Sequence, residues 1–345
     1  MNKLPLSSKL RLDSTLLSAV NEAEKNISAL SGICKTLDFE KNILALLTTK
    51  EAISSLNIDL ESKDDLKFSE CFQNQMPFKK ILNQYNSSID LGYVLLKNLS
   101  KASHIVNLIH SELSGEEGGI GEEMKYRTET KNNYALPAPE EIPSLLENLD
   151  EYISLDTSYP PIINAAIIHA QFEIIHPFKN YNGLTGRILF HLHLKWKNCL
   201  QVPILQLSQH LLERKSEYFE RLADIENNNW EDWIKYFLDV VKKSSITTQS
   251  ILKEIFQLRK NDLEKLTENE LISTASLKLF NYLYKQPVFT IPELTKELGY
   301  SKQTVNILVS KLQDRKIITE KTGQQRYRIY TYKNLIDILE NDNYE

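Results

Sequence analysis

The residues that could do chemistry lie in one stretch, Ile174-Ile175-His176-Pro177-Phe178-Lys179-Asn180-Tyr181-Asn182-Gly183-Leu184-Thr185-Gly186-Arg187. His176 stands where an apolar helical run ends, and it can serve as a general base. A second helical run begins near Gly183, with Arg187 in its first turns. Gly183 and Gly186 let backbone N–H groups approach one spot without an intervening side chain. A helix N-terminus carries unpaired donors and partial positive charge, which suits phosphate. Arg187 adds a planar fork matched to phosphate oxygens. A base, an anion nest and an arginine this close together point to group transfer from a phosphate donor.

The stretch resembles the Fic motif, His-x-Phe-x-(Asp/Glu)-Gly-Asn-(Gly/Lys)-Arg-x-x-Arg. It matches at His176, Phe178, Asn182, Gly183 and Arg187. It departs at Asn180 (acidic in the family), Tyr181 (Gly) and Leu184 (the first Arg). The resemblance implies AMP transfer from ATP with Mg²⁺ to a protein hydroxyl. His176 would be the base, and Asn182, Gly183, Gly186 and Arg187 would seat phosphates. The metal's carboxylate is replaced by the neutral amide of Asn180, a poorer ligand for a hard cation. Leu184 removes one arginine contact, and an arginine that neutralises transition-state charge can be worth about 10³-fold. Two readings therefore stand. One is a Fic-type nucleotidyltransferase with an altered phosphate clamp. The other is a catalytically inactive Fic scaffold that regulates by binding DNA or a partner.

The elements that must position this stretch are mostly helical. The chain has 345 residues, ordinary apolar content (41%) and only 10 glycines, four of them between Gly115 and Gly121. Helical spacing marks residues 9–37, 42–58, 78–97, 100–113, 143–153 and 162–175, and a run resumes after the loop through Trp196. The expected fold is an all-α Fic core with a short β-hairpin flap, followed by a small α+β module. Expected boundaries are 1–97 for an N-terminal helical segment, 98–250 for the core, 251–270 for a connecting helix and 271–345 for the module.

Within 42–58 and just beyond, Ser55-Leu56-Asn57-Ile58-Asp59-Leu60 resembles the inhibitory Ser/Thr-x-x-x-Glu segment of Fic proteins. The resemblance implies that Ser55 and Asp59 face Arg187 and restrain activity; a helix end with a surface acid is the alternative. Residues 124–138 resemble the flap that holds the target protein's hydroxyl by strand addition, with Gly121 and Arg127 as its loose Gly-x-Arg start. The Gly-rich stretch 114–122 carries three glutamates that would repel a phosphate, so it reads as a surface loop. His169 reads as a packing histidine. His191 and His193 point to different helix faces, which is poor geometry for a shared metal. Tyr218-Phe219 either walls an adenine pocket, as the resemblance implies, or packs in the core. Trp230 and Trp233 read as structural.

Residues 271–335 read as helix, Gly turn, an Ser301-capped helix and two strands around Thr322-Gly323, which resembles a winged helix. From 278 to 333 eleven basic residues oppose four acidic ones, a local +7 within a chain of net −5. That asymmetry suits a phosphate backbone, with Lys302, Gln303, Asn306 and Arg328 toward DNA; docking of a protein is the other reading. Cys34, Cys71 and Cys199 lie far apart, which suits a reduced, cytoplasmic protein without a structural zinc. No apolar run approaches the ~20 residues that span a bilayer. Fic proteins of this layout often dimerise, so a homodimer is among the expectations.

Overall fold

The structure is a computed structural model that describes residues 4, 10–36, 41–60, 65–72, 79–95, 102–115, 126–129, 136–155, 157–267, 272–324 and 326–341. In chain order these form α1 (Ser14–Thr36), α2 (Lys41–Asp59), a 3-10 turn (Phe68–Phe72), α3 (Lys79–Leu95), α4 (Ala102–Ser114), α5 (Ile142–Ser154), α6 (Pro161–Ile175), α7 (Asn182–Trp196), α8 (Leu207–Glu213), α9 (Lys215–Asp224) and α10 (Trp230–Thr267). The C-terminal module follows as α11 (Thr274–Leu283), β1 (Val288–Thr290), α12 (Ile291–Leu298), α13 (Lys302–Asp314), β2 (Thr319–Glu320), β3 (Ile329–Thr331) and α14 (Lys333–Glu340).

The paired helices α6 and α7 form the centre. Pro161 opens α6, where a missing N–H costs nothing. Its residues Ile162, Ile163, Ala166, Ile167, Ala170, Phe172 and Ile175 are all buried. A helix apolar on every side belongs inside, and α6 is covered by α5, α7 and α10. Trp233 donates its indole N–H to the Ala166 carbonyl at 3.0 Å, which fixes α10 across α6. His169 sits in the same core, 3.1 Å from the Tyr218 hydroxyl and 3.3 Å from the Gly186 carbonyl. Burial drives its pKa down to about 3, so it is a neutral packing histidine. Tyr218 is fully buried beside it, in core packing.

The closing helix of the core and the connecting helix are one continuous element, the 38-residue α10, about 57 Å long. It has no break near residue 250, because Val240, Val241, Ile251, Leu252 and Ile255 keep one face buried throughout. In the module, Ser301 caps α13 by accepting from the Thr304 N–H, and Gly299 takes the left-handed conformation before it. The sheet is antiparallel in the order β1-β3-β2, with Phe289 opposite Tyr330. β1 and α14 extend the module beyond the elements read from sequence; three residues of strand are too few for a periodicity. Buried Asp262 of α10 accepts from the Tyr332 hydroxyl at 2.7 Å and anchors the module to α10.

The three cysteines are free. Among the described residues no helix is long and apolar enough to cross a membrane. The Gly-rich stretch lies outside the described residues beyond Gly115, as does most of the expected flap apart from 126–129 and 136–138.

Candidate active site

The loop after α6 is held by side chains that bond to its backbone. His176 ends α6 in the left-handed conformation (φ 47°), half-buried. Arg127 secures that turn: its Nε donates to the His176 carbonyl at 2.8 Å and its backbone N–H to the Pro177 carbonyl at 2.9 Å. Its Nη2 donates to the carbonyls of Pro137 (2.6 Å) and Ile175 (3.4 Å). One buried guanidinium thus satisfies the last carbonyls of α6 and ties two segments of the expected flap region to the histidine.

Asn182 braces the other side of the loop. Its Oδ1 accepts from the Phe178 N–H at 2.8 Å and its Nδ2 donates to the Phe178 carbonyl at 2.7 Å. The side chain read as a phosphate ligand is therefore engaged in loop closure. Phe178 is buried and stacks on His110 of α4, with ring centroids 3.7 Å apart. Tyr181, where the family has glycine, still adopts the left-handed conformation (φ 59°). The backbone shape survives although the residue suited to it does not, at a cost on the order of 1 kcal/mol.

Arg187 and α2 form the phosphate end of the site. Arg187 is only 1% exposed. Its Nε donates to Ser55 Oγ at 2.6 Å, and its Nη2 donates to the Ser55 carbonyl at 3.0 Å and to Asp59 Oδ2 at 2.9 Å. A β-carbon on Gly183 would lie 2.5 Å from Asp59 Oδ1. The Asp59 carboxylate therefore lies against the first turn of α7, in the space Gly183 leaves open. The expected meeting of Ser55 and Asp59 with Arg187 is what the structure holds. Burial alone would lower the Arg187 pKa, but Asp59 and Glu173 outweigh it and keep the guanidinium charged.

Four side chains that the sequence reading gave no role complete the arrangement. Glu173 of α6 is 9% exposed and reaches the space left by Gly186, where its Oε1 has no hydrogen-bond partner. Burial pushes its carboxyl up to about 7, opposed by Arg187 and reinforced by Asp59. Glu51 of α2 is fully buried and accepts from the Ser208 N–H (3.1 Å) and hydroxyl (2.5 Å) at the start of α8. Asn57 exchanges hydrogen bonds with the Leu66 backbone, and Lys215 Nζ donates to the Leu60 carbonyl at 3.2 Å. α2 is thus seated by polar contacts along its length. The signal for Glu173 was present: it is the one acidic side chain in a buried, largely apolar helix.

The residues near the loop do not fit a Mg²⁺ site. Position 180 offers an exposed neutral amide, and Asp59 is committed to Arg187. The described residues contain no group of three His, Cys, Asp or Glu that could hold a metal. Leu184 is buried in the core, so the position of the family's first arginine gives no cation here. In the module, Lys302, Gln303 and Asn306 lie exposed along α13, with Ile307 beside them at 54% exposure. Arg328 is exposed and its Nε donates to the Gln324 carbonyl at 2.9 Å.

Residues 99–194, which include the loop, match the model of the Fic/DOC family. The chain carries a Fic domain. A probable protein adenylyltransferase of Aquifex aeolicus is 25% identical over 178 residues, 51% of this chain and 51% of that protein. The chain therefore spans about half the length of this curated relative. Among solved structures, a Fic family protein from Desulfovibrio desulfuricans has the same fold (TM-score 0.56, 16% identity) over 94% of this chain and 97% of its own. Fic-1 from C. elegans aligns with a TM-score of 0.50 at 18% identity, over 69% of this chain and 74% of that one. These likenesses agree with the helical core around the Fic loop.

Proposed function

We propose that this Fic domain transfers AMP, or another phosphate-linked group, from a nucleotide such as ATP to a Ser, Thr or Tyr hydroxyl of a protein, and that Asp59 restrains it. The observation that carries this reading is the anion seat itself. The Asp59 carboxylate lies in the space at Gly183 and pairs with Arg187, eleven residues or fewer along the chain from His176. In the reaction His176 takes the proton of the target hydroxyl. The hydroxyl oxygen bonds to the α-phosphorus, the bond from that phosphorus to the β-phosphate oxygen breaks, and pyrophosphate leaves. Positioning and charge neutralisation supply most of the rate. The target approaches along 124–138, within which Arg127 bonds the carbonyls of Pro137 and His176.

The test is self-modification read by mass spectrometry in wild type, Asp59→Gly and His176→Ala. A mass gain that grows in Asp59→Gly and vanishes in His176→Ala is expected, and the added mass names the transferred group. No gain in any variant, with no nucleotide binding by calorimetry, would overturn the reading.

A second reading is favoured by Asn180 and Leu184, which leave the phosphate end short of a carboxylate and a cation. There the Fic domain is a scaffold, and the C-terminal module acts as a winged helix on DNA. The exposed row Lys302, Gln303, Asn306 with Arg328 supports it. Lys302→Ala with Arg328→Ala should weaken DNA binding and flatten its salt dependence. An unchanged salt slope would favour protein docking instead. The cytoplasm as location and a homodimer belong to the same reading of the chain.

A further inference from the structure

Glu173 is a buried carboxyl group that the proposed reaction does not use. It sits on the central helix α6, one turn before His176. Two glycines in the first turns of α7 each make room for one carboxylate. Gly183 receives Asp59, and Gly186 receives Glu173, with Arg187 facing both. The two acids differ in mobility. Asp59 is the last residue of α2 and is one-third exposed, whereas Glu173 is inside the bundle and cannot leave. One guanidinium cannot neutralise two carboxylates and an incoming phosphate as well.

We propose that Glu173 is the charge-compensating residue of the anion seat: it holds a proton while an anion, Asp59 or a phosphate, occupies the space between Gly183 and Arg187, and gives that proton up when the seat is empty. Four observations support this. Its Oε1 has no hydrogen-bond partner while Asp59 is seated, as expected of an acid not competing for Arg187. The Asp59 charge raises the Glu173 carboxyl, and Arg187 lowers it, so removing Asp59 tips the balance toward the carboxylate. Burial places the transition near neutrality, at about 7. The titratable groups facing this corner include Arg187 on α7, Asp59 on α2, His169 on α6, Tyr218 on α9 and Tyr85 on α3, whose phenol burial also raises well above its ordinary range. His169 is neutral, and burial holds the Tyr218 phenol well above its ordinary range, so neither supplies an alternative proton near pH 7. A buried arginine left without a counter-charge is costly, and ionised Glu173 removes that cost during exchange of one anion for another.

The Asp59 half of the proposal stands on its own, and the phosphate half rests on the nucleotide reading above. The first arm of the test therefore uses no nucleotide. In protein labelled with ¹³C at glutamate carboxyls, Glu173 is assigned by its loss in Glu173→Gln and titrated in wild type and Asp59→Asn. The midpoint should fall by a pH unit or more in Asp59→Asn. An unchanged midpoint overturns the proposal whatever the domain binds. The second arm is calorimetry of tripolyphosphate on Asp59→Gly in buffers of different ionisation enthalpy. Uptake of up to one proton is expected near pH 7.5, with affinity falling up to about tenfold per pH unit above neutrality. Both should vanish in Asp59→Gly/Glu173→Gln. Binding with the same proton uptake in the double variant would overturn the phosphate half. Absence of binding in every variant would sink the nucleotide reading and leave the first arm to decide on Glu173.

Discussion

The two cationic regions of this chain manage positive charge in opposite ways. Arg187 is 1% exposed, and its guanidinium is met by the hydroxyl and carbonyl of Ser55 and the carboxylate of Asp59. Lys302 and Arg328 are exposed in a segment where basic residues outnumber acidic ones eleven to four. Removing water explains the difference. In the interior a charge must be answered by fixed partners, and two residues of α2, Ser55 and Asp59, answer this arginine. At the surface water answers the charge, and an excess can accumulate as a long-range field. Even a close surface pair such as Lys285 with Glu297 (2.5 Å, each about half exposed) has little to add. The buried charge is therefore held by defined partners, whereas the exposed charges add to a diffuse field.

The strongest break of this contrast is Arg187→Ala. It leaves Glu173 and Asp59 together without a cation, and should destabilise by about 3 kcal/mol, toward the low end for a broken buried pair because Asp59 keeps some water. Denaturant unfolding checks it, and a loss below ~1 kcal/mol would mean that α2 is not held by this charge. Glu173→Gln gives a signed pH effect of the next size. The Glu173 carboxyl is raised in the folded state from 4.5 to about 7. The folded protein therefore binds the extra proton between those values, and the group's contribution declines as pH rises through them. Glu173→Gln should be near neutral at pH 4 and stabilising on the order of 2 kcal/mol at pH 8. A smaller effect is expected for Gly183→Ala, whose new β-carbon meets Asp59 at 2.5 Å. It should cost about 1–2 kcal/mol in wild type and less in the Asp59→Gly background. An equal cost in both backgrounds would place the strain elsewhere. Lys302→Ala with Arg328→Ala should leave stability within about 0.5 kcal/mol, as both side chains are exposed. A larger loss would show that the module's basic face holds its fold.

The His176–Arg187 stretch was legible because its chemistry is local. A base, two glycines and an arginine within twelve residues of one another require only a loop and a helix start. Ser55 and Asp59 were singled out by resemblance, and both hydrogen-bond to Arg187. Asn182 was recognised as part of the motif, but its bonds to the Phe178 backbone were not. Two hydrogen bonds to Phe178 depend on how tightly the loop closes, and spacing does not report that. Arg127 sits in a weakly patterned stretch, yet its side chain reaches carbonyls 10, 48 and 49 residues away.

By itself the sequence determined the helical periodicities, the cap at Ser301, the local composition of the Fic loop and the charge asymmetry between residues 278–333 and the rest of the chain. These follow from nearest neighbours along the chain, where propensity and spacing act directly. Only the tertiary structure decided which helices cover α6, that Asp59 fills the space at Gly183, and that Glu173 Oε1 is left without a hydrogen-bond partner at Gly186. Those outcomes depend on which groups lose water together, and that is set when helices distant in sequence pack against one another.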